Sequence, residues 1–137
     1  MNFTDFAIDK ILYKTFVSSK DSDIVLAKSA SSIILTTEEQ ASLTFIPRLN
    51  GRLYLRASFS TEETINTFKV KVYQNNTLVG TFTNDVRQNF VTGFVDVIAF
   101  SKYTVKINSS KELSSTTGRV EIRGDVADNL SKYISTV

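Results

Sequence analysis

The nine residues Arg52 to Ser60, RLYLRASFS, alternate apolar and polar side chains without a break. A period of two fits an extended strand, in which successive side chains point to opposite faces, and fits no helix. Leu53, Leu55, Ala57 and Phe59 fall on one face, and Arg52, Tyr54, Arg56 and Ser58 on the other. The same pattern returns in FKVKVY (68–73), KYTVKIN (102–108) and RVEIRG (119–124). Each such strand has one face to bury and one face to wet, which is the signature of an antiparallel sheet packed on one side.

The connections agree with that reading. Asn75-Asn76 separates residues 68–74 from TLVGTFT (77–83) and predicts a two-residue hairpin turn with positive φ at both asparagines. Asn50-Gly51 in RLNG (48–51) is a second hairpin signal. IVLAK (24–28), SIILT (32–36) and ASLTFI (41–46), which ends at Pro47, read as further strands. FVTGFVDVIAF (90–100) predicts a long strand with a bulge at Gly93, and the tail after Gly124 a helical turn or a last strand. About eight strands with short connections and no intervening helices predict an all-β fold, an antiparallel β-sandwich or jelly roll. Its core is expected to hold Leu53, Leu55, Phe59, Phe68, Val70, Val72, Val105, Ile107, Val120 and Ile122.

Residues 1–23 read as an N-terminal arm and residues 24–137 as the sandwich domain. In the arm, Phe3, Ala7 and Ile11 lie four apart, as do Ile8, Leu12 and Phe16, so apolar groups point almost all round. Such a segment needs a cover, and Phe3, Phe6, Ile8, Ile11 and Leu12 are the expected partner contacts. The start of the chain lacks the basic region of a signal peptide, so none is expected, and the four Asn-x-Ser/Thr sites are expected to carry no glycan. No apolar run approaches the roughly 18 residues of a membrane-spanning helix.

The chain contains neither histidine nor cysteine. That removes Ser-His-Asp triads, thiolate nucleophiles and the usual zinc sites. Carboxylate-pair catalysis survives, but Glu38-Glu39 and Glu62-Glu63 are adjacent pairs, and strand neighbours point to opposite faces. A glycosidase needs its two carboxyls roughly 5–9.5 Å apart across a sugar, so these acids are read as loop solubilisers. Asp21-Ser22-Asp23 lacks the glycine and following acid of a calcium loop and is read as a solvated turn. No catalytic residue, cofactor or metal is expected. The net charge of +2 is spread along the chain and gives no nucleic-acid footprint.

The polar strand phase does carry cations. Arg52, Arg56, Lys69 and Lys71 share it, with Lys102, Lys106, Arg119, Arg123, Tyr54 and Tyr73. If their strands lie in one sheet, they form a basic face interleaved with aromatics, suited to sugars, phosphates or an acidic protein. The alternative is a wet sheet face whose cations discourage edge pairing.

The succession NGRLYLRASF, KVKVYQNNTLVGTF, FVTGFVDVIAFSKYTVKINSS and GRVEIRGDV resembles β-sandwich modules of bacteriophage virion proteins, similar in outline to C1q/TNF-like jelly rolls. The resemblance covers roughly residues 50–124. Where such modules often carry a Gly-Asp turn before the penultimate strand, this chain has Phe100-Ser101-Lys102. The resemblance implies a non-enzymatic structural protein of the virion, a capsid decoration or head-fibre component in a multi-copy assembly or homo-oligomer with other virion proteins. The alternative it leaves open is a carbohydrate-binding or host-attachment module of a phage tail, with a glycan as ligand. Neither nucleic acid nor membrane is an expected partner.

Overall fold

The computed structural model describes residues 15, 16, 18, 24–61, 67–85, 88–110, 116–124 and 133–137. They form ten strands: β1 (Ile24–Lys28), β2 (Ile33–Ile34), β3 (Gln40–Pro47), β4 (Gly51–Ser60), β5 (Phe68–Gln74), β6 (Thr77–Thr83), β7 (Phe90–Val97), β8 (Tyr103–Ser109), β9 (Thr117–Gly124) and β10 (Ile134–Thr136). The first sheet has the order β1-β9-β4-β7, with the short β2 also paired to β9, and the second has the order β10-β3-β8-β5-β6. Every ladder between named strands is antiparallel. The fold is the expected β-sandwich of jelly-roll type.

From β3 to β10 the chain changes sheet at every connection except β5–β6. That corrects one expectation. Asn50-Gly51 does not turn a hairpin, because β3 and β4 belong to different sheets. Gly51 has φ 139°, and a Cβ there would lie 2.3 Å from the Phe16 carbonyl oxygen. Phe16 donates its N–H to the Asn50 carbonyl at 2.9 Å, and its own carbonyl accepts from Arg52 N at 3.0 Å. The glycine is therefore needed for a close approach of backbones, with Phe16 bridged in parallel to Gly51.

Asn75-Asn76 does turn a hairpin, pairing Gln74 with Thr77. Only Asn75 has positive φ, at 56°. Positive φ at the first loop position alone is the φ pattern of a type II′ turn, in place of the type I′ turn expected. The bulge expected at Gly93 is also absent. The ladder runs through Leu53↔Val95, Leu55↔Gly93 and Ala57↔Val91 without a shift. Gly93 instead makes room for an aromatic ring, since a Cβ there would sit 2.4 Å from Phe82. Phe82, on the edge strand of the second sheet, thus closes the sandwich against the edge strand of the first.

All ten expected core residues are buried, at 6% exposure or less. The sheets meet through Phe59 of β4 and Phe68 of β5, whose rings stack at 4.1 Å and 3°. Phe45 and Tyr103 stack at 5.6 Å within the second sheet. Phe16 joins the same core at 2% exposure, so the chain's own domain covers at least this aromatic of the segment read as an arm. Phe3, Phe6, Ile8, Ile11 and Leu12 lie outside the described residues.

Candidate functional site: the outer face of the first sheet

The inward phase of β4, β7 and β9 fills the core, so the outward phase builds the opposite face. The register fixes it row by row. Arg52 stands beside Asp96, and Tyr54 lies between Arg123 and Phe94. Arg56 lies between Glu121 and Thr92, and Ser58 between Arg119 and Phe90. Arginines and rings therefore pair across strands. The Arg56 guanidinium lies 4.8 Å from the Phe90 ring centre, and that of Arg52 5.5 Å from Phe94. Tyr54 packs on Phe94 at 5.3 Å and is itself buried, whereas Phe94 is 40% exposed. Arg52 reaches Asp96 at 3.2 Å with both side chains largely exposed, a pair of little energetic weight. Arg123 grips Glu121 through Nε and a terminal nitrogen, at 3.0 and 2.8 Å.

Beside this platform the sheet edge opens. β1 pairs with residues 121–124 of β9, and β2 with residues 117 and 118. Between them the serine-rich loop 29–32 forms no ladder with β9. Ser29 replaces the missing ladder: its N–H donates to the Val120 carbonyl at 2.9 Å, and its hydroxyl accepts from Val120 N at 3.1 Å. The space left forms two adjoining clefts. One, of about 280 Å³, is bounded by the loop, Lys28, Arg119 and Glu121. The other, of about 330 Å³, lies over Ser58, Ser60 and Thr117. Ser32 and Arg119 line both.

The cations read as one basic face are split. Arg52 and Arg56 lie on β4 in the first sheet, with Arg119 and Arg123 on β9; Lys69 and Lys71 lie on β5 in the second sheet, with Lys106 on β8. The connection from β4 to β5 crosses the sandwich, so a shared strand phase places them on opposite outer surfaces. On the second sheet Lys71 Nζ meets Glu39 Oε1 at 2.7 Å, and the Tyr73 hydroxyl donates to Glu39 Oε2 at 2.8 Å. Lys106 Nζ sits 4.9 Å from the Tyr73 ring centre. The hydrogen bonds from Lys71 and then Tyr73 hold the Glu39 carboxyl below its ordinary value, and the bond to Glu39 raises both Lys71 and Tyr73.

Of the acidic pairs, Glu39 is thus engaged by a cation and a phenol, while Glu62, Glu63, Asp21 and Asp23 lie outside the described residues. Among the described residues no group of three or more acidic, histidine or cysteine side chains is placed to hold a metal ion. The sequence reading named Tyr54 and the arginines but passed over Phe90, Phe94 and loop 29–32. The signal for the loop is its serine run between two short apolar strands.

No family model matches the chain, and no curated protein matches it. Among solved structures it is similar to a family 35 carbohydrate binding module from an environmental isolate, with TM-score 0.50 and 11% identity over 90% of this chain and 88% of that one. A CBM35 from Cellvibrio japonicus Abf62 aligns with TM-score 0.40 and 11% identity, over 80% of this chain and 96% of that one. The first likeness shows a shared jelly-roll β-sandwich fold.

Proposed function

We propose that this chain is a non-catalytic carbohydrate-binding module whose ligand lies on the outer face of the first sheet. One observation carries the reading: the exposed ring of Phe94 rests on the buried Tyr54, with the half-buried Phe90 four residues before it on β7, and these rings, interleaved with guanidiniums, border clefts lined by hydroxyls. Sugars present apolar C–H faces and polar edges. An exposed ring supplies an apolar platform for the former, and Arg, Ser and Thr supply hydrogen bonds for the latter. This is the alternative that the sequence left open, and the shared fold of the family 35 module supports it. The platform is built from phenylalanine and tyrosine, as a chain without tryptophan requires.

Titration against a panel of neutral and acidic soluble polysaccharides tests the reading. At least one class binds, and Phe94→Ala weakens it tenfold or more with no change in melting temperature. Absence of binding across the panel sinks the proposal.

A protein-contact role in a multi-copy assembly, as in a virion capsid or tail, is the second reading, and one feature favours it. The β7–β8 turn presents Ile98 at 57% and Phe100 at 76% exposure. That turn is held firmly: Ile98 N donates to the Tyr103 hydroxyl, Ala99 N to Asn50 Oδ1 and Phe100 N to the Pro47 carbonyl, all within 2.8 Å. Light scattering on wild type and Phe100→Ser separates the readings. An oligomer that dissociates in the variant supports contact through this turn, and a monomer in both leaves the glycan reading alone.

A further inference from the structure

We infer that the paired clefts around Arg119 form an anion subsite that takes a tetrahedral oxyanion ester, sulfate or phosphate, carried on a glycan chain. The inference rests on the carbohydrate-binding reading and names the chemistry its ligand must carry.

Charge is the first step. Arg119 and Lys28 line the clefts, are exposed, and have no ion-pair partner among the described residues. Glu121 is the one carboxylate lining either cleft among the described residues, and the two-pronged contact from Arg123 already engages it. The local balance is thus two uncompensated cations, Arg119 and Lys28, with the Glu121–Arg123 pair cancelling. A guanidinium and an ammonium are donors only. A sugar hydroxyl can accept from either but carries no charge, so a neutral glycan would leave both cations without a counter-charge, whereas an anionic group forms the stronger charge-assisted bonds.

Geometry is the second step. Arg119 and Ser32 line both clefts, with Ser31 of the loop in one and Ser58, Ser60 and Thr117 of the sheet in the other. Ser29, at the base, is 9% exposed, and its hydroxyl accepts from Val120. The donors therefore approach from separate directions. A carboxylate has two oxygens in one plane, which a single guanidinium fork satisfies. A sulfate or phosphate ester spreads its charged oxygens around a tetrahedron and can accept from the guanidinium and from hydroxyls on both flanks. Phe90 lies directly opposite Ser58 on the neighbouring strand with the Arg56 guanidinium 4.8 Å from its ring centre, so an aromatic–cation pair borders the clefts where the sugar that carries the ester would lie.

The test measures binding of the full chain at about 150 mM salt, where long-range attraction is screened beyond about 8 Å. The probes are a sulfated galactan, its chemically desulfated product, a phosphodiester-linked glycan and a uronate polymer of matched charge density. The sulfated or the phosphodiester polymer should bind at least tenfold more tightly than the desulfated and uronate polymers, and the better of the two identifies the ester. Arg119→Gln should erase that margin at unchanged melting temperature, and Lys106→Gln on the opposite sheet should leave it intact. With these probes binding should also stay level from pH 4 to pH 8, because a sulfate ester and a phosphodiester each keep a single negative charge throughout. Equal binding of the desulfated polymer, or tighter binding of the uronate, overturns the anion subsite and leaves the glycan reading standing. A margin that survives Arg119→Gln overturns the assignment to these clefts. Binding of none of the polymers removes the subsite, and the wider polysaccharide panel above then decides the glycan reading separately.

Discussion

On the second sheet, Lys71 and Tyr73 both bond the same carboxylate, and Lys106 covers the tyrosine ring, so these two lysines have partners while Lys69 stays exposed. On the first sheet, Arg56 lies on a phenyl ring and Arg119 stands at the mouth of two clefts, neither with a carboxylate partner among the described residues. The two faces come from strands with the same alternating pattern and similar cation content. What separates them is the neighbour that the topology supplies. Glu39, just before β3, reaches over to β5 and closes the second face. The break between β1 and β2 leaves the middle of β9 without a partner strand along that edge and opens the first. A wet sheet face thus becomes a candidate binding surface through a gap in pairing, more than through its composition.

The strongest way to break the comparison is to remove what holds the faces apart. Phe68 is fully buried and stacks on Phe59 across the sandwich. Phe68→Ala should destabilise the fold by about 3–5 kcal/mol, measured by urea denaturation, and should weaken both faces together. A loss below 1 kcal/mol would mean that the stack contributes little to joining the sheets.

The core of this molecule was legible because alternation is a property of one strand at a time. Leu53 and Ile122 declare their side without reference to any other residue. The clefts were not legible, because they depend on Ser29 bonding Val120, 91 positions away in the chain. The basic face failed for the same reason: strand phase was right and sheet membership was not. Turn chemistry was half legible. Asn75-Asn76 marks a real hairpin, but at Asn50-Gly51 the glycine answers to Phe16, a tertiary neighbour. At Phe100 the resemblance marked a turn, but local preference did not: a bulky residue at φ 69° runs against it and is held there by its N–H bond to the distant Pro47 carbonyl.

Phe100 lies on neither face and so gives a control for both. Its left-handed backbone costs about 1–2 kcal/mol in an L-residue. Glycine relieves that strain but adds roughly 0.5–1 kcal/mol of chain entropy to the unfolded state. The side chain is 76% exposed, so little burial is lost. Phe100→Gly should therefore raise stability by about 0.5 kcal/mol, from the difference of those terms, with glycan binding unchanged. A clear loss of stability would show that the ring has a packing partner, and would favour the contact reading of this turn.

The smallest effect separates the faces by pH. Glu39 is held below its ordinary value by hydrogen bonds from Lys71 first and Tyr73 second. A carboxylate lowered in the folded state contributes stability that is complete above its unfolded value, about 4.3, and disappears as pH falls through the folded value. Lys71 and Tyr73 are raised by their bond to the same group, so their contribution is complete below their unfolded values, near 10, and lost as pH rises through the folded ones. The advantage of wild type over Glu39→Gln should then form a plateau from about pH 5 to pH 9 and decline on both sides. Denaturation midpoints of the two proteins across pH 2.5 to 11 measure it. The predicted glycan affinity of the first sheet stays level from pH 4 to pH 8, so only the closed face should respond at the acidic end of that window. If Glu39→Gln instead tracks wild type at every pH, the closure of the second sheet has no energetic weight, and the contrast between the faces reduces to the clefts alone.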